Sequence, residues 1–245
     1  MDKLRFASPH FAPLTGTLRL VDGTARDAAA SATVLDPPAR SARSRQDERL
    51  FILLDLSQSA PPRLYRELRQ IIARAYWTTE GSITAALRKA AMTANRHLFR
   101  FNLQASPPDR CYGGLTCVVL HGEDFFILIA GPCLACVLHL GHLECFPKNA
   151  QLPHLGMGRL VDIRLYHTFA AIGDTLLLAS STLRQASGDG GLTRVLPRSN
   201  VQGVLSGLEQ LGAETNFTAL VARLVLPSEA VQQVKPAPPP KVKEK

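Results

Sequence analysis

The most constraining feature of this 245-residue sequence is an apolar, glycine-punctuated stretch between Gly113 and Phe146. It predicts four short strands joined by tight turns into an antiparallel meander. The strands are expected at about 115–120, 125–130, 134–139 and 142–146. The second strand is the unbroken apolar run FFILIA. A strand with one face in water alternates polar and apolar residues, so an unbroken run indicates cover on both faces. We therefore expect a further layer of structure on each side of the meander.

The segments on either side of the meander supply the remaining elements. Strands are predicted at 11–22, 50–54, 163–170, 176–179 and 218–225, and helices at 62–77, 83–103 and from Ser199 to Leu211. The first two helices carry apolar residues three or four positions apart, the spacing of a helix with one face on a sheet. Ser199 and Gln202 form a predicted capping box for the third helix. Residues 185–198 are expected to form a loop.

These elements predict an α+β fold, a four-layer α-β-β-α sandwich of antiparallel sheets with helices outside. The length allows one substantial core, which we assign to a domain at 11–227. Residues 1–10 are expected to be an N-terminal extension. Within the domain, the segment 23–47 is rich in Ala, Ser, Arg and Pro and is expected to be a mobile loop. The Pro- and Lys-rich segment 228–245 is expected to be a disordered tail or linker.

Composition narrows the class of protein. An apolar content of 46% with 20% charged residues is typical of a globular chain. No apolar run approaches the roughly 18 residues of a membrane-spanning helix, and the first residues lack the apolar run of a signal peptide. The net charge of +8 is not accompanied by interleaved aromatic residues, so we expect no nucleic-acid partner.

The five cysteines are an odd number, and most lie in apolar strands. This pattern favours reduced, buried thiols in a cytoplasmic protein over a disulfide framework. Cys133 and Cys136 have a spacing found in zinc and redox sites. Residues three apart in a strand point to opposite faces, however, so we expect these two side chains to serve core packing.

Short motifs, in chain order, resemble those of the metal-dependent PPM (PP2C-type) Ser/Thr phosphatases. Residues 53–59 (LLDLSQS) resemble the strand that ends in Asp-Gly-x-Gly-Gly, and residues 114–116 (GLT) resemble the Gly-x-Thr that opens the central meander. Residues 131–135 (GPCLA) resemble the Gly-Asp-Ser-Arg-Ala turn. Residues 173–183 resemble the Gly-Asp-x-Leu-Leu-Leu-x-Ser-Asp-Gly-Leu segment, and residues 215–218 resemble the closing Asp-Asn-x-Thr. The resemblance covers about 12–226 and implies the same four-layer fold.

The resemblance also implies a centre of two Mg²⁺ or Mn²⁺ ions, held by carboxylates between the sheets, that activates water for attack on a phosphoryl group. Such hard cations need several carboxylate ligands. Of the corresponding positions only Asp55 keeps a carboxylate; Leu56 stands in place of glycine, and Pro132, Ser181 and Thr215 stand in place of aspartate. One carboxylate cannot hold two metal ions. We therefore expect no catalytic residue, no bound cofactor and a lost active site.

These departures predict a catalytically inactive, PP2C-like pseudophosphatase domain that serves as a protein-interaction or regulatory module in signalling. The expected partner is a protein, either a phosphoprotein or a further domain beyond the tail. The contact surfaces are expected on the loop from Arg40 to Arg45 and on the exposed faces of the two long helices.

Two alternatives remain open. The chain could be a divergent but active metal-dependent protein Ser/Thr phosphatase that uses Mg²⁺ or Mn²⁺. It would then combine Asp55 with acids at other positions, namely Asp47, Glu48, Asp162 or Asp174. The chain could instead be a structural module that its tail tethers to a larger assembly.

Overall fold

A computed structural model describes residues 11–148 and 152–234, with side chains through residue 230. The strands of this part of the chain are β1 (Ala12–Val21), β2 (Thr24–Arg26), β3 (Ala32–Leu35), β4 (Glu48–Leu56), β5 (Gly113–His121), β6 (Asp124–Ala130), β7 (Cys133–His139), β8 (His142–Phe146), β9 (Arg164–Phe169), β10 (Thr175–Ser180) and β11 (Phe217–Val225). Its α-helices are α1 (Pro62–Trp77), α2 (Ile83–Gln104), α3 (Ser181–Val195), α4 (Val201–Leu211) and α5 (Pro227–Val234). None of these helices is both long and apolar enough to cross a bilayer.

The strands form two antiparallel sheets. A six-stranded sheet has the order β2-β1-β11-β10-β7-β8, and a five-stranded sheet has the order β3-β4-β5-β6-β9. Helices α1 and α2 cover the outer face of the five-stranded sheet, whereas α3 and α4 cover the outer face of the six-stranded sheet. The predicted four-layer α-β-β-α sandwich is confirmed.

Alternation along β4 shows why the central strands are apolar throughout. Leu50, Ile52 and Leu54 point outward into the core beneath α1 and α2. Phe51 and Leu53 point inward, into the core between the sheets. Both faces of the strand are therefore buried, as the absence of polar alternation predicts. The same division holds for the apolar run of β6.

The predicted meander is divided between the two sheets. Strands β5 and β6 belong to the five-stranded sheet, and β7 and β8 to the six-stranded sheet. The chain crosses at Gly131, whose φ of +83° and close approach to the Gly113 carbonyl leave no room for a side chain. The strand positions were predicted correctly, but the single meander was wrong, because turn residues do not reveal whether the next strand joins the same sheet.

The helices agree with the sequence pattern early in the chain and depart from it later. Ser82 caps α2 as predicted, since its hydroxyl accepts a hydrogen bond from the Ala85 amide at 3.2 Å. The predicted loop at 185–198 was wrong for most of its length, because α3 continues through a kink at Gly188 and buries Leu192 against the six-stranded sheet.

Two further boundaries differ near the end of the described chain. The N-cap of helix α4 lies one residue later than expected, because the Asn200 side chain, rather than Ser199, accepts from the Gly203 amide at 2.6 Å. Helix α5 occupies the start of the segment that we predicted to be a disordered tail. Residues 1–10 and 235–245, for which an extension and a tail were predicted, lie outside the described residues.

The cysteines do not all remain reduced. Cys136 and Cys145 are directly opposed on β7 and β8 and form a disulfide, whereas Cys111, Cys117 and Cys133 are buried free thiols. The expectation of five reduced thiols was therefore wrong, because the spacing along the chain did not reveal the cross-strand pairing. The opposite orientations of Cys133 and Cys136 are confirmed: one side chain lies between the sheets and the other beneath α3 and α4.

The segment 23–47 contains more structure than the predicted loop. It includes β2, β3 and a short 3-10 turn at Arg43–Arg45. Arg45 is fully buried and donates from Nη1 to Glu48 Oε1 at 2.9 Å. Its other guanidinium nitrogens donate to the backbone carbonyls of Thr79, Gly81 and Ser82 at 2.9–3.2 Å. Arg45 therefore ties this segment to the connection between α1 and α2, and it is not available as the surface contact that we predicted for the Arg40–Arg45 loop.

Replacement of Arg45 should destabilise the protein strongly. Arg45→Met leaves Glu48 buried without its cation, and we expect the free energy of unfolding to fall by about 3–5 kcal/mol. Denaturant titration would measure this change. The neighbouring exposed Arg43→Met serves as the control and should stay within about 0.5 kcal/mol of the wild type. Equal effects of the two replacements would contradict the assigned role of the buried ion pair.

Candidate functional site

A cleft of about 1190 Å³ opens where β4 ends, between the edges of the two sheets. Four of the five positions singled out from the sequence line it, namely Asp55, Leu56, Pro132 and Ser181. Thr215 is not among the residues that line the cleft. The structure therefore brings four positions together that are up to 126 residues apart in the sequence, counted from 55 to 181.

Backbone pairing explains why these positions meet. Asp55 on β4 is paired with Gly114 on β5. A side chain at Gly114 would collide with the Cys133 sulfur, so glycine allows β5 to approach the start of β7. The Ser181 amide donates to the Pro132 carbonyl at 3.0 Å, which holds the start of α3 against the crossing turn. The ends of four strands thus converge on one point.

A row of polar side chains on the six-stranded sheet faces Asp55. Arg19 is paired with Thr218, whose amide donates to the Ser180 hydroxyl at 2.9 Å, and Ser180 is paired with Cys133. Other inward-pointing residues of β7, β10 and β11, such as Ala135, Leu178 and Leu220, are apolar. The change from apolar to polar lining marks this end of the sandwich as a place where a ligand could be held.

Burial controls the protonation of Asp55 and of Cys133, which lies in the row that faces it. It raises the pKa of Asp55 from 3.8 to about 6, and the Ser180 hydroxyl and the Arg19 guanidinium reduce this shift. Burial also raises the pKa of the Cys133 thiol well above 9.0, and the nearby charge of Asp55 adds to this effect. The thiol therefore stays protonated near neutral pH, which argues against a nucleophilic cysteine.

The side chains of the cleft do not fit a pair of divalent cations. Among the described residues that line the cleft, Asp55 is the sole carboxylate; Lys148 is cationic, and so is Arg184, which pairs with Asp189 outside the lining. Across residues 11–148 and 152–234, no cluster of three or more His, Cys, Asp or Glu side chains is arranged to hold a metal. Because Mg²⁺ and Mn²⁺ require several oxygen ligands, mostly anionic, this donor set does not match the centre that the resemblance implies.

The acids considered as alternative ligands are not brought to the cleft. They are Asp47, Glu48, Asp162 and Asp174, and none of them lines it. Glu48 begins β4 and Asp55 lies near its end, so an extended strand separates them by roughly 23 Å. Asp174 is buried at the start of β10, paired with His139 at 2.9 Å, whereas the cleft lies at the other end of that strand. The metal-dependent alternative therefore gains no second carboxylate from these positions.

Sequence reasoning missed the basic residues of the site. Arg19 was predicted to lie on a strand and was assigned no role. Its neighbours Leu18 and Leu20 point outward beneath α3 and α4, so alternation along the strand turns Arg19 to the other face, and this was the available signal. Arg184 donates to the Pro147 carbonyl at 2.9 Å and pairs with Asp189 at 2.7 Å. No sequence pattern indicated a role for Arg184, because the helix that carries it was not predicted.

The raised pKa of Asp55 makes a prediction about stability and pH. Between pH 3.8 and about 6 the folded state holds a proton that the unfolded chain has released, so Asp55 lowers stability as pH rises through this window. Asp55→Asn removes this cost. The difference in free energy of unfolding between the variant and the wild type should therefore grow, in favour of the variant, by up to about 3 kcal/mol from about pH 4 to about pH 8. The size follows because one pKa unit corresponds to about 1.4 kcal/mol.

Urea denaturation of both proteins at the two pH values would measure this gain. The exposed Asp47→Asn is the matched control and should show no such dependence on pH. A difference between Asp55→Asn and the wild type that falls with rising pH would mean that the folded protein stabilises the Asp55 carboxylate, as a bound cation would.

Comparison with known proteins identifies the fold. No protein-family model matches the chain, and a search of curated proteins finds no relative. Solved structures do match. PppA, described as a key regulatory component of T6SS in Pseudomonas aeruginosa, is 19% identical with a TM-score of 0.63, over 86% of this chain and 97% of that one.

Two further solved structures are phosphatases by description. The catalytic domain of the serine threonine protein phosphatase PstP, in complex with two manganese ions, is 17% identical with a TM-score of 0.63, over 88% of this chain and 98% of that one. The PPM Ser-Thr phosphatase MsPP from Mycobacterium smegmatis is 16% identical with a TM-score of 0.60, over 89% of this chain and 99% of that one. The chain therefore has the fold of the metal-dependent PPM (PP2C-type) Ser/Thr phosphatases.

Proposed function

We propose that this chain is a catalytically inactive, phosphatase-like module that acts by binding a protein partner. One observation carries the proposal. Among the described residues that line the cleft, Asp55 is the sole carboxylate, and the side chains around it are neutral or cationic. Activation of water by two metal ions needs a shell of anionic oxygens on both ions, and the described lining of this cleft does not supply one.

The electrostatics of the cleft support the same proposal. A divalent cation beside Asp55 would lie near the Arg19 guanidinium, whose positive charge would repel it. The raised pKa of Asp55, about 6, also leaves part of this carboxyl protonated near neutral pH. Both effects weaken the binding of a cation at the one position that keeps an acidic ligand.

A regulatory role for the proposed module follows the description of one structural relative. PppA is described as a regulatory component of T6SS, although its 19% identity with this chain indicates a shared fold alone. We extend to this chain only the idea of regulation, and propose a role in a signalling or assembly system. A location in the cytoplasm stays a prediction from the sequence.

Metal binding and hydrolysis test the proposed loss of catalysis directly. Calorimetric titration of the full chain with Mn²⁺ and with Mg²⁺ should show no saturable heat at millimolar metal, because the described lining of the cleft offers one carboxylate. Hydrolysis of a generic aryl phosphate should not exceed that of Asp55→Ala. Saturable Mn²⁺ binding together with turnover that Asp55→Ala abolishes would instead establish a divergent, active phosphatase.

Restoring carboxylates tests whether the proposed metal positions are the right ones. Pro132 and Ser181 are joined by a 3.0 Å backbone hydrogen bond beside Asp55, so Pro132→Asp with Ser181→Asp should create a cluster of three acids. We expect this variant to bind Mn²⁺ in calorimetry where the wild type does not. The control, Ser199→Asp with Ser228→Asp, changes the net charge equally at exposed sites and should not bind. Failure of the restored variant to bind would show that these positions do not correspond to metal ligands.

A further inference from the structure

A second groove, of about 480 Å³, lies on the outer surface where α2 passes beside β9. Its lining combines three apolar residues with three basic ones. The apolar residues are Ala85, Met92 and Leu165, and the basic residues are Arg88, Lys89 and Arg96. We call this surface the α2–β9 groove. It is distinct from the cleft at Asp55, with which it shares no lining residue.

The fold leaves this groove open at the side of the five-stranded sheet. Strand β9 is the edge strand, and among the described strands it pairs with β6. Helix α2 packs over β5 and β6 through Leu87, Ala94 and Leu98, and a different face of the helix lines the groove together with Leu165 of β9. Arg88, Met92 and Arg96 are four residues apart and therefore share that second face. An apolar side chain thus lies between two cations on the open surface.

The positive charge of the groove is not neutralised within the described part of the protein. Arg88, Lys89 and Arg96 make no ion pair with the described residues, and no acidic residue of this part lines the groove. Arg63 on the neighbouring helix α1, by contrast, pairs with Glu67 at 2.6 Å. Adjacent cations without counter-charges raise the local positive potential and attract acidic groups.

The apolar part of the groove is also exposed. Met92 is 45% exposed, and a flexible thioether side chain adapts well to a partner's apolar surface. Leu165 lies beside it at half-buried depth. Solvation alone accounts for the cations, but an exposed methionine beside them suits a partner that brings apolar and acidic groups together.

We propose that the α2–β9 groove docks an acidic, amphipathic segment of a protein partner. Its carboxylates pair with Arg88, Lys89 and Arg96, and its apolar side chains cover Met92 and Leu165. The inference deepens the proposed function, on which it rests, because it names the docking surface and the class of partner. A peptide suits this groove better than a nucleic acid does, since the described lining contains no aromatic side chain on which bases could stack.

Fluorescence anisotropy with the full chain tests this proposal. The probe is a fluorescein-labelled peptide in which Glu alternates with Leu, and the comparison peptides replace Glu by Lys or Leu by Ser. We expect saturable binding of the first peptide alone at physiological ionic strength. Arg88→Glu with Arg96→Glu should weaken this binding by about tenfold or more, and Met92→Ser by about threefold, because charge and apolar contacts both contribute.

Matched variants distinguish binding in the α2–β9 groove from nonspecific electrostatic attraction to the protein. Arg66→Glu with Arg194→Glu changes the net charge equally at exposed positions outside the groove, and it should leave the affinity unchanged. All variants should unfold at the wild-type temperature, because their altered side chains are exposed. Equal losses in both charge-reversal variants would overturn the proposal, as would an absence of binding by the wild type.

Two further outcomes are decisive. Tighter binding of a single-stranded oligonucleotide than of the peptide, abolished by Arg88→Glu with Arg96→Glu, would identify a nucleic-acid surface and overturn the peptide assignment. Metal binding and turnover would overturn the proposed loss of catalysis. Failure of the peptide assay without metal binding would overturn only the groove, so the two failures are distinguishable.

Discussion

The rest of the structure depends on the stacking of the two sheets through a shared apolar layer. Phe51, Phe125 and Ile127 from one sheet meet Leu176 and Leu220 from the other, and each is fully buried. Because helices cover the outer faces as well, the central strands have no solvated side. This packing, together with the glycines at the strand ends, holds the strands that form the cleft at fixed positions.

Different residues determine the shape of the cleft and its chemistry. The glycines that allow close approach, Gly114 and Gly131, are present where the backbone requires them. At the same point the Arg19 guanidinium lies close enough to Asp55 to affect the pKa of its carboxyl. A fold constrains where groups are placed, whereas the groups themselves decide which reaction, if any, takes place.

Periodicity predicted the features that depend on local burial. The FFILIA run indicated two covered faces, and the helical spacing of 62–77 and 83–103 indicated the paired helices. The crossing at Gly131 and the burial of Arg45 could not be predicted in this way, because each is decided by contacts with residues distant in the chain. At the cleft, a resemblance singled out Asp55, but an isolated arginine within a strand carried no comparable signal for Arg19.

The disulfide between Cys136 and Cys145 has a consequence for the open side of the six-stranded sheet. Strand β8 is the outermost strand there, and its free backbone groups could otherwise pair with a strand of another molecule. The covalent link to β7 keeps this short strand attached during local opening of the sheet. It thereby keeps β8 from separating and exposing β7 as a new template, which protects this edge of the six-stranded sheet against aggregation.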